Sequence, residues 1–445
     1  MSDEARRSER GSDKVGGGGG EGGPRDPERE PLEGMRPESR MMSHAYNPRW
    51  SEGAIKPPIF QTSTFAFENA EDGKEFFSYA YGLAERDPAR PMGLIYSRLN
   101  NPNLEILEER LNLWDRAEAS AVFASGMAAI STTLLALVPC GSSVVFSRPV
   151  YGGTDYLLEH VLPERDVVTR EFPAGADGGA VEEILQQLAD AGNPCKVLFI
   201  ETPANPTLRL TDIEEMAEIA HRHHALCAVD NTFLGPLYQQ PIALGADLVL
   251  YSATKYLGGH SDLVAGVALG RKELIEQIKG LRTILGNMLE PFSAWLLLRS
   301  LETAKLRMTC SRKNAEKIVP WLARHPKVAR VYFPGYEPGP DKDERQREIY
   351  DKQCSGPGAL FAFELEEATE EAAFRFLDAT RLIKLAVSLG ANESLVEHPA
   401  SMTHSDVPPD EQRAIGIHPG LIRISVGIEH PNDLIADLEQ ALEAV

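Results

Sequence analysis

Between residues 121 and 252 the chain repeats one pattern: an apolar run of strand length, a small or polar cluster where it stops, then a segment with helical spacing. The runs are AVFA (Ala121 to Ala124), SVVF (Ser143 to Phe146), KVLFI (Lys196 to Ile200), LCAVD (Leu226 to Asp230) and DLVLYS (Asp247 to Ser252). Strands that alternate with helices build a mainly parallel sheet covered by helices, so an α/β fold is predicted. In TDIEEMAEIAHRHH, Thr211 and Glu214 read as a capping box, and Ile213, Met216, Ala217 and Ala220 form one apolar stripe of a helix. After about residue 300 the alternation stops. A long helical segment, LETAKLRMTCSRKNAEKIVPWLARH, precedes FAFEL, FRFLDAT, RISVGIE and a closing helix at DLIADLEQALEAV, which predicts a separate α+β domain.

The 445 residues leave ample length for a large core and more than one domain. Lys plus Arg total 45 against 66 Asp plus Glu, a formal charge of −21, which argues against nucleic acid or anionic membrane as partners. Five cysteines without a C-x-x-C pair suggest neither a disulfide framework nor a zinc site, and a reducing compartment fits them. The helix-end cluster His221, His223 and His224 suits the negative end of a helix dipole better than a metal. With no long apolar run and no leader-like start, a cytoplasmic, soluble protein is expected. Residues 1–44 are charged, Gly/Pro-rich and nearly free of large apolar side chains, which predicts a disordered tail, with Met35, Met41 and Met42 as alternative starts.

Chemistry collects at the carboxyl ends of strands in such sheets. AVFA runs into SGMAA, which puts Ser125, Gly126 and Met127 at a helix start, where free N–H groups favour an anion, although a plain N-cap reads the same way. LCAVD ends in Asp230, a carboxylate that burial penalises unless a positive or hydrogen-bonding partner meets it. DLVLYS runs into SATKYLGGHSD and delivers Ser252, Thr254 and Lys255. A lysine at a strand end is ordinarily solvated. An anion cradle, a carboxylate and an amine on one crevice nevertheless match one cofactor, pyridoxal 5′-phosphate. It carries a phosphate, a ring nitrogen that must stay protonated and an aldehyde that forms a Schiff base with lysine. At about 3 Å an aspartate attracts that ring nitrogen by roughly 5 kcal/mol at an effective dielectric near 20.

YSATKYLGGHSD, with SGMAA, YGGT at Tyr151, ETPANPT at Glu201, VDNT at Val229 and RISVGIE at Arg423, resembles the Cys/Met-metabolism family of pyridoxal-phosphate enzymes. That family includes cystathionine γ-synthases and γ-lyases, methionine γ-lyases and homoserine sulfhydrylases, and the resemblance runs in order from about Ile55 to the C-terminus. It implies a type I pyridoxal-phosphate transferase fold, with a seven-stranded sheet in a large domain at 106–300 and a smaller α+β domain at 301–445. It also implies an N-terminal arm at 45–105 that contacts a neighbouring subunit. Lys255 would then carry the cofactor and Asp230 pair with its ring nitrogen. Ser125, Gly126, Met127, Ser252 and Thr254 would hold the phosphate, with Tyr96 and Arg98 reaching in from the neighbour. Tyr151 would stack on the ring, and Arg423 would grip the substrate carboxylate with Asn205 and Ser388. A homo-oligomer, a dimer of dimers, follows from the same resemblance.

The reaction it implies begins with α-proton removal by the Lys255 amine and ends with departure of a sulfur or oxygen group from Cγ, for which the Tyr151 phenol is the natural acid. Val387 stands where cystathionine-handling relatives tend to carry a glutamate, and HPASMTHS (His398 to Ser405) resembles the methionine γ-lyase version. Gly153 stands where methionine γ-lyases usually have a cysteine. A γ-eliminating carbon–sulfur lyase is the expectation, and γ-replacement on a homoserine ester is the alternative. A transaminase and a catalytically dead binding protein also remain open.

Overall fold

The structure, a computed structural model, describes residues 34–85, 93–336 and 343–445. Seven strands form the large sheet: β1 (Ala119–Phe123), β2 (Ser142–Arg148), β3 (Val167–Pro173), β4 (Cys195–Glu201), β5 (Leu226–Asp230), β6 (Leu248–Ser252) and β7 (Gly266–Gly270). Their order is β1-β7-β6-β5-β4-β2-β3. Strands β2 to β6 pair in parallel, while β7 is antiparallel to both β6 and β1, so six strands point one way. The carboxyl ends of β1, β2, β4, β5 and β6 therefore open on one edge, as the strand–helix alternation predicts.

All five runs read from the sequence are strands of this sheet, and two of its strands were not read. Strand β3, VVTREFP, sits at the edge with Arg170 and Glu171 in solvent, so it carries no unbroken apolar run. Strand β7, GVALG, looks like a turn in sequence. It is buried throughout, and a Cβ at Gly266 would fall on the Ser125 carbonyl. Only glycine lets those two backbones approach.

The second sheet has the order β10-β11-β12-β9-β8, from β8 (Val328–Tyr332), β9 (Leu360–Leu365), β10 (Lys384–Leu385), β11 (Leu395–Glu397) and β12 (Leu421–Ser425). The helices Ala304–Leu322 and Pro431–Glu443 pack on each other, and Phe361, Phe363, Phe376 and Leu438 fill the core beside them. Two buried glutamines of the helix Glu344–Gln353 tie this part to the first. Gln346 accepts from Leu210 N (2.7 Å) and donates to Leu210 O (2.8 Å), while Gln353 accepts from Ile213 N and donates to Thr211 O, both at 3.1 Å. Both glutamines mimic a neighbouring strand, and they fix the segment that follows β4.

Two local expectations need correction. The helix Ile213–Arg222 is capped by Asp212, whose carboxylate accepts from Glu215 N at 3.1 Å, and not by Thr211. Thr211 is buried and its hydroxyl accepts from Gly175 N at 3.1 Å, so it is turned inward. Of the expected tail, residues 1–33 lie outside the described residues, but Pro37–Arg40 form a helical turn and Met41 is only 1% exposed. One apolar anchor packed into the cluster around Leu104, Leu107 and Leu111 holds that segment against the fold. Among the described residues, no helix is long and apolar enough to cross a membrane.

Behind the sheet's carboxyl edge lies a buried polar chain. The Tyr251 hydroxyl donates to Asp115 Oδ1 (2.8 Å), and Asn231 Nδ2 donates to the Tyr251 oxygen (2.9 Å) and to Gln239 O (3.0 Å). Burial pushes the Asp115 carboxyl up to about 7, against the pull of that hydroxyl bond. A raised acid stabilises the fold fully below its unfolded value near 4, and this contribution is lost as pH rises through the folded value. Asp115→Asn is therefore expected to gain about 2 to 3 kcal/mol on the wild type between pH 5 and pH 8 in urea unfolding. An equal difference at both pH values would show that Asp115 does not titrate in this window.

Candidate active site

Helix Gly126–Leu137 starts at the end of β1, and Ser125 caps it, its hydroxyl accepting from Ala128 N at 3.0 Å. The first turn of such a helix presents the N–H groups of Gly126 and Met127 to solvent or an anion. A Cβ at Gly126 would lie 2.9 Å from the Ser252 Cβ, so the helix start and the end of β6 form one narrow cradle. Ser125, Gly126, Met127 and Ser252 share it. Thr254 is tied instead to the next loop: its hydroxyl donates to Ala265 O (3.2 Å) and accepts from Ala265 N (3.0 Å).

Lys255 follows β6 and donates from Nζ to Ser388 Oγ at 2.7 Å. Burial, reinforced by the Arg423 charge, lowers the amine from its ordinary value to about 8. Ser388 holds a φ of 102°, a left-handed conformation that is strained for a serine, and its carbonyl accepts from Arg423 Nη2 at 2.9 Å. Gly390 packs beneath, where a Cβ would lie 2.7 Å from Tyr256 N. The segment between β10 and β11 is thus pressed against the lysine and the arginine together.

Arg423 comes from β12 and is only 3% exposed. Its Nη1 donates to Asn205 Oδ1 (3.0 Å) and pairs with Glu397 Oε1 (2.8 Å), the residue directly opposite on β11. Asn205 follows β4, whose last residue, Glu201, is buried. Glu201 accepts from Asn205 N (3.1 Å) and from Tyr151 N (2.8 Å), and so fixes two backbones that border the crevice. Tyr151, after β2, is 46% exposed; a Cβ at Gly153 would lie 2.8 Å from its ring and 3.1 Å from Met127 Sδ.

Asp230 ends β5 beside Glu201 on β4. Its Oδ1 accepts from Thr232 N (3.0 Å) and Thr232 Oγ1 (2.6 Å), and the Thr232 oxygen accepts in turn from Ser252 N (2.9 Å). Burial raises both carboxyls; the Asp230 charge raises Glu201 further, while the Thr232 hydrogen bonds hold Asp230 back. Such a pair calls for a cation. A protonated ring nitrogen at Asp230 supplies one, and with the cradle at Gly126 and the lowered amine of Lys255 the residues fit pyridoxal 5′-phosphate.

Ten of the residues read from the sequence thus gather on the strand ends: Ser125, Gly126, Met127, Tyr151, Asn205, Asp230, Ser252, Lys255, Ser388 and Arg423. Thr254 lies on the same loop with its hydroxyl engaged. Tyr96 and Arg98 are elsewhere: Tyr96 is 41% exposed and bridges Thr64, and Arg98 donates to Thr283 O at 2.8 Å. Glu201, Thr232 and Glu397 were not read as site residues. The rule that flagged Asp230, a carboxylate ending an apolar strand, applies equally to Glu201 in CKVLFIE.

A family model described as Cys/Met metabolism PLP-dependent enzyme matches residues 39–443. The chain is 41% identical over 409 residues to the L-methionine gamma-lyase of Pseudomonas putida, covering 91% of this chain and 97% of that protein. It is 36% identical over 397 residues to the O-succinylhomoserine sulfhydrylase of Pseudomonas aeruginosa, covering 89% and 93%. The crystal structure of cystathionine gamma synthase from Xanthomonas oryzae pv. oryzae in complex with aminoacrylate and cysteine superposes with a TM-score of 0.81 at 34% identity, covering 92% of this chain and 98% of that one.

Proposed function

The chain belongs to the Cys/Met metabolism family of pyridoxal-phosphate-dependent enzymes, and from that premise we propose that it is a carbon–sulfur lyase. It would convert methionine or a related thioether amino acid, with water, into 2-oxobutanoate, ammonia and a thiol. The observation that carries the reading is the convergence of Lys255 Nζ and Arg423 Nη2 on one residue, Ser388, which brings an amine and a carboxylate receptor to one place in the crevice. When bound, the cofactor supplies an electron sink for the charge left at Cα. Arg423 and Asn205 orient the carboxylate. The Lys255 amine, lowered to about 8, takes the α-proton near neutral pH. Tyr151 gives a proton to the departing sulfur, and Asp230 keeps the ring nitrogen charged. Ser125, Gly126, Met127, Ser252 and Thr254 hold the phosphate.

The choice of a small thioether rests on Val387, next to Ser388. It is 55% exposed and offers methyl groups where a distal amino group would need a carboxylate. The second reading is γ-replacement on an activated homoserine ester: Gly153, packed against the Tyr151 ring, carries no thiol where methionine γ-lyases usually have a cysteine. Tyr96 and Arg98 are assigned to the neighbouring subunit's site. Exposed Ile55, Tyr81 and Leu83 on the same arm support a self-association surface, and a homo-oligomer follows from that assignment.

The deciding assay compares L-methionine, L-cystathionine and O-acetyl-L-homoserine plus sulfide on the cofactor-loaded protein. Rapid release of 2-oxobutanoate and methanethiol from methionine is expected. Silence on methionine, with homocysteine made from the ester, would establish replacement as the reaction.

A further inference from the structure

Arg423 does not wait empty for a carboxylate. It lies opposite Glu397 in the β11–β12 register, and the two form an ion pair at 2.8 Å, with side chains 3% and 1% exposed. Its Nη1 also donates to Asn205 Oδ1, and its Nη2 donates to the Ser388 carbonyl. Glu397 is unevenly satisfied. Its Oε1 accepts from Thr403 Oγ1 at 3.1 Å as well as from Arg423, while its Oε2 is buried with no hydrogen-bond partner. A buried carboxylate oxygen left without a donor is costly, and the cost is smaller when that oxygen carries a proton and the group is neutral.

We propose that Glu397 competes with the substrate carboxylate for Arg423 and takes up a proton when displaced, so that this residue sets the affinity of the site for carboxylates. The proposal rests on the reading of Arg423 as the α-carboxylate grip. Two ionised carboxylates cannot share one guanidinium in a water-poor site without strong mutual repulsion. Protonation of Glu397 removes that repulsion, keeps the Thr403 bond and gives the orphaned oxygen a hydrogen. The carboxyl is already biased this way. Burial raises it, and the pull of Arg423 opposes that rise, so an arriving anion that occupies Arg423 removes the main force holding Glu397 ionised.

The charged and titratable groups around it come from every neighbouring element. Arg423 lies on β12. Lys255 and Tyr256 follow β6, and Glu201 acts on Arg423 from the end of β4. His404 and Asp406 follow on the next turn, His398 adjoins along the chain, and Lys384 on β10 is exposed. His404 is held down to about 4 by burial and by Arg423, so it stays neutral at working pH. Lys255, whose free amine is lowered to about 8, is committed to the cofactor in the loaded protein used in the test.

The test uses a plain carboxylate, 4-(methylthio)butanoate, which has no amino group to react with the cofactor. Its binding to the cofactor-loaded enzyme is measured by calorimetry in two buffers of different ionisation enthalpy, from about pH 6.5 to 8.5. The wild type is expected to take up a fraction of a proton approaching one, its affinity falling up to about tenfold per pH unit. Glu397→Gln, which keeps the shape, is expected to take up none from this source, to show a flatter profile and to bind roughly tenfold tighter at pH 8. Weaker binding in Glu397→Gln would overturn the proposal and leave Glu397 a brace for Arg423. Should that variant fail to fold, the wild-type proton count decides alone, and zero uptake overturns the proposal. Arg423→Gln separates the two readings. If it binds the probe as well as the wild type does, the carboxylate reading of Arg423 is lost and the inference with it; if it binds weakly, only the outcomes at Glu397 bear on the proposal.

Discussion

Cofactor-loaded protein carrying Lys255→Ala is expected to turn over its substrate at least about a thousand times more slowly than the wild type, the range typical for loss of a general base. Covalent capture of the cofactor is lost as well, because among the described residues no other amine is bonded to Ser388. The wild-type amine owes its reactivity to burial and to Arg423, which together lower it to about 8. Capture of the aldehyde by the cofactor-free wild type should accordingly speed up as pH rises through about 8, where the neutral amine becomes abundant. The fold itself should survive. A buried base with a depressed value carries stability that is present above its unfolded value and lost as pH falls through the folded one, so at pH 7 the ammonium is a burden that alanine removes. A small primary amine in the buffer can enter the vacated volume and restore part of the α-proton transfer. The outcome that sinks the assignment is a Lys255→Ala protein with full turnover and the absorption band of lysine-bound cofactor.

What could be read from the sequence divides along a physical line. Strands buried on both faces announce themselves as apolar runs, and the side chains at their ends follow in order, so the placement of Ser125, Asp230 and Lys255 at strand ends was legible before any geometry. Edge position hid β3, and close backbone packing hid β7 behind its glycines. Contacts between distant segments were hidden altogether. Glu397 and Arg423 face each other only because β11 and β12 pair in one register, and nothing in LVEHP or RISVG states that register. Thr232 was hidden differently: it stands two residues after Asp230, and only the turn shows that its hydroxyl bonds both the carboxylate and Ser252 N. The proposed assignment of Tyr96 and Arg98 to a neighbouring subunit's site requires a second copy of the chain. Light scattering that found a fully active monomer would refute it.

Asp230→Ala is expected to reduce kcat about 10³- to 10⁴-fold, with the wild-type substrate affinity largely retained. A carboxylate at about 3 Å from a protonated ring nitrogen contributes roughly 5 kcal/mol at an effective dielectric of 20, and each 1.4 kcal/mol is about a factor of ten in rate. Asp230→Asn keeps the shape and the Thr232 contacts but cannot hold that charge, so it should resemble alanine in rate. A packing role predicts the opposite, with asparagine close to wild type, and that result would end the assignment. Stability should move against activity. In the cofactor-free protein Asp230 is raised by burial and stands beside Glu201, raised further still, so both acids lose stability as pH rises from their unfolded values through their folded ones. Removing the charge at 230 relieves its own burial and the repulsion on Glu201. Cofactor-free Asp230→Asn should therefore unfold at a higher temperature than the wild type at pH 8, with the gap closing towards pH 4. The wild type keeps this unfavourable pair because the protonated ring nitrogen, when it arrives, meets a carboxylate already stripped of water and short of a cation. The strain in the empty site and the hold on the cofactor are then two measurements of one electrostatic arrangement, and a variant that improved the first without weakening the second would contradict it.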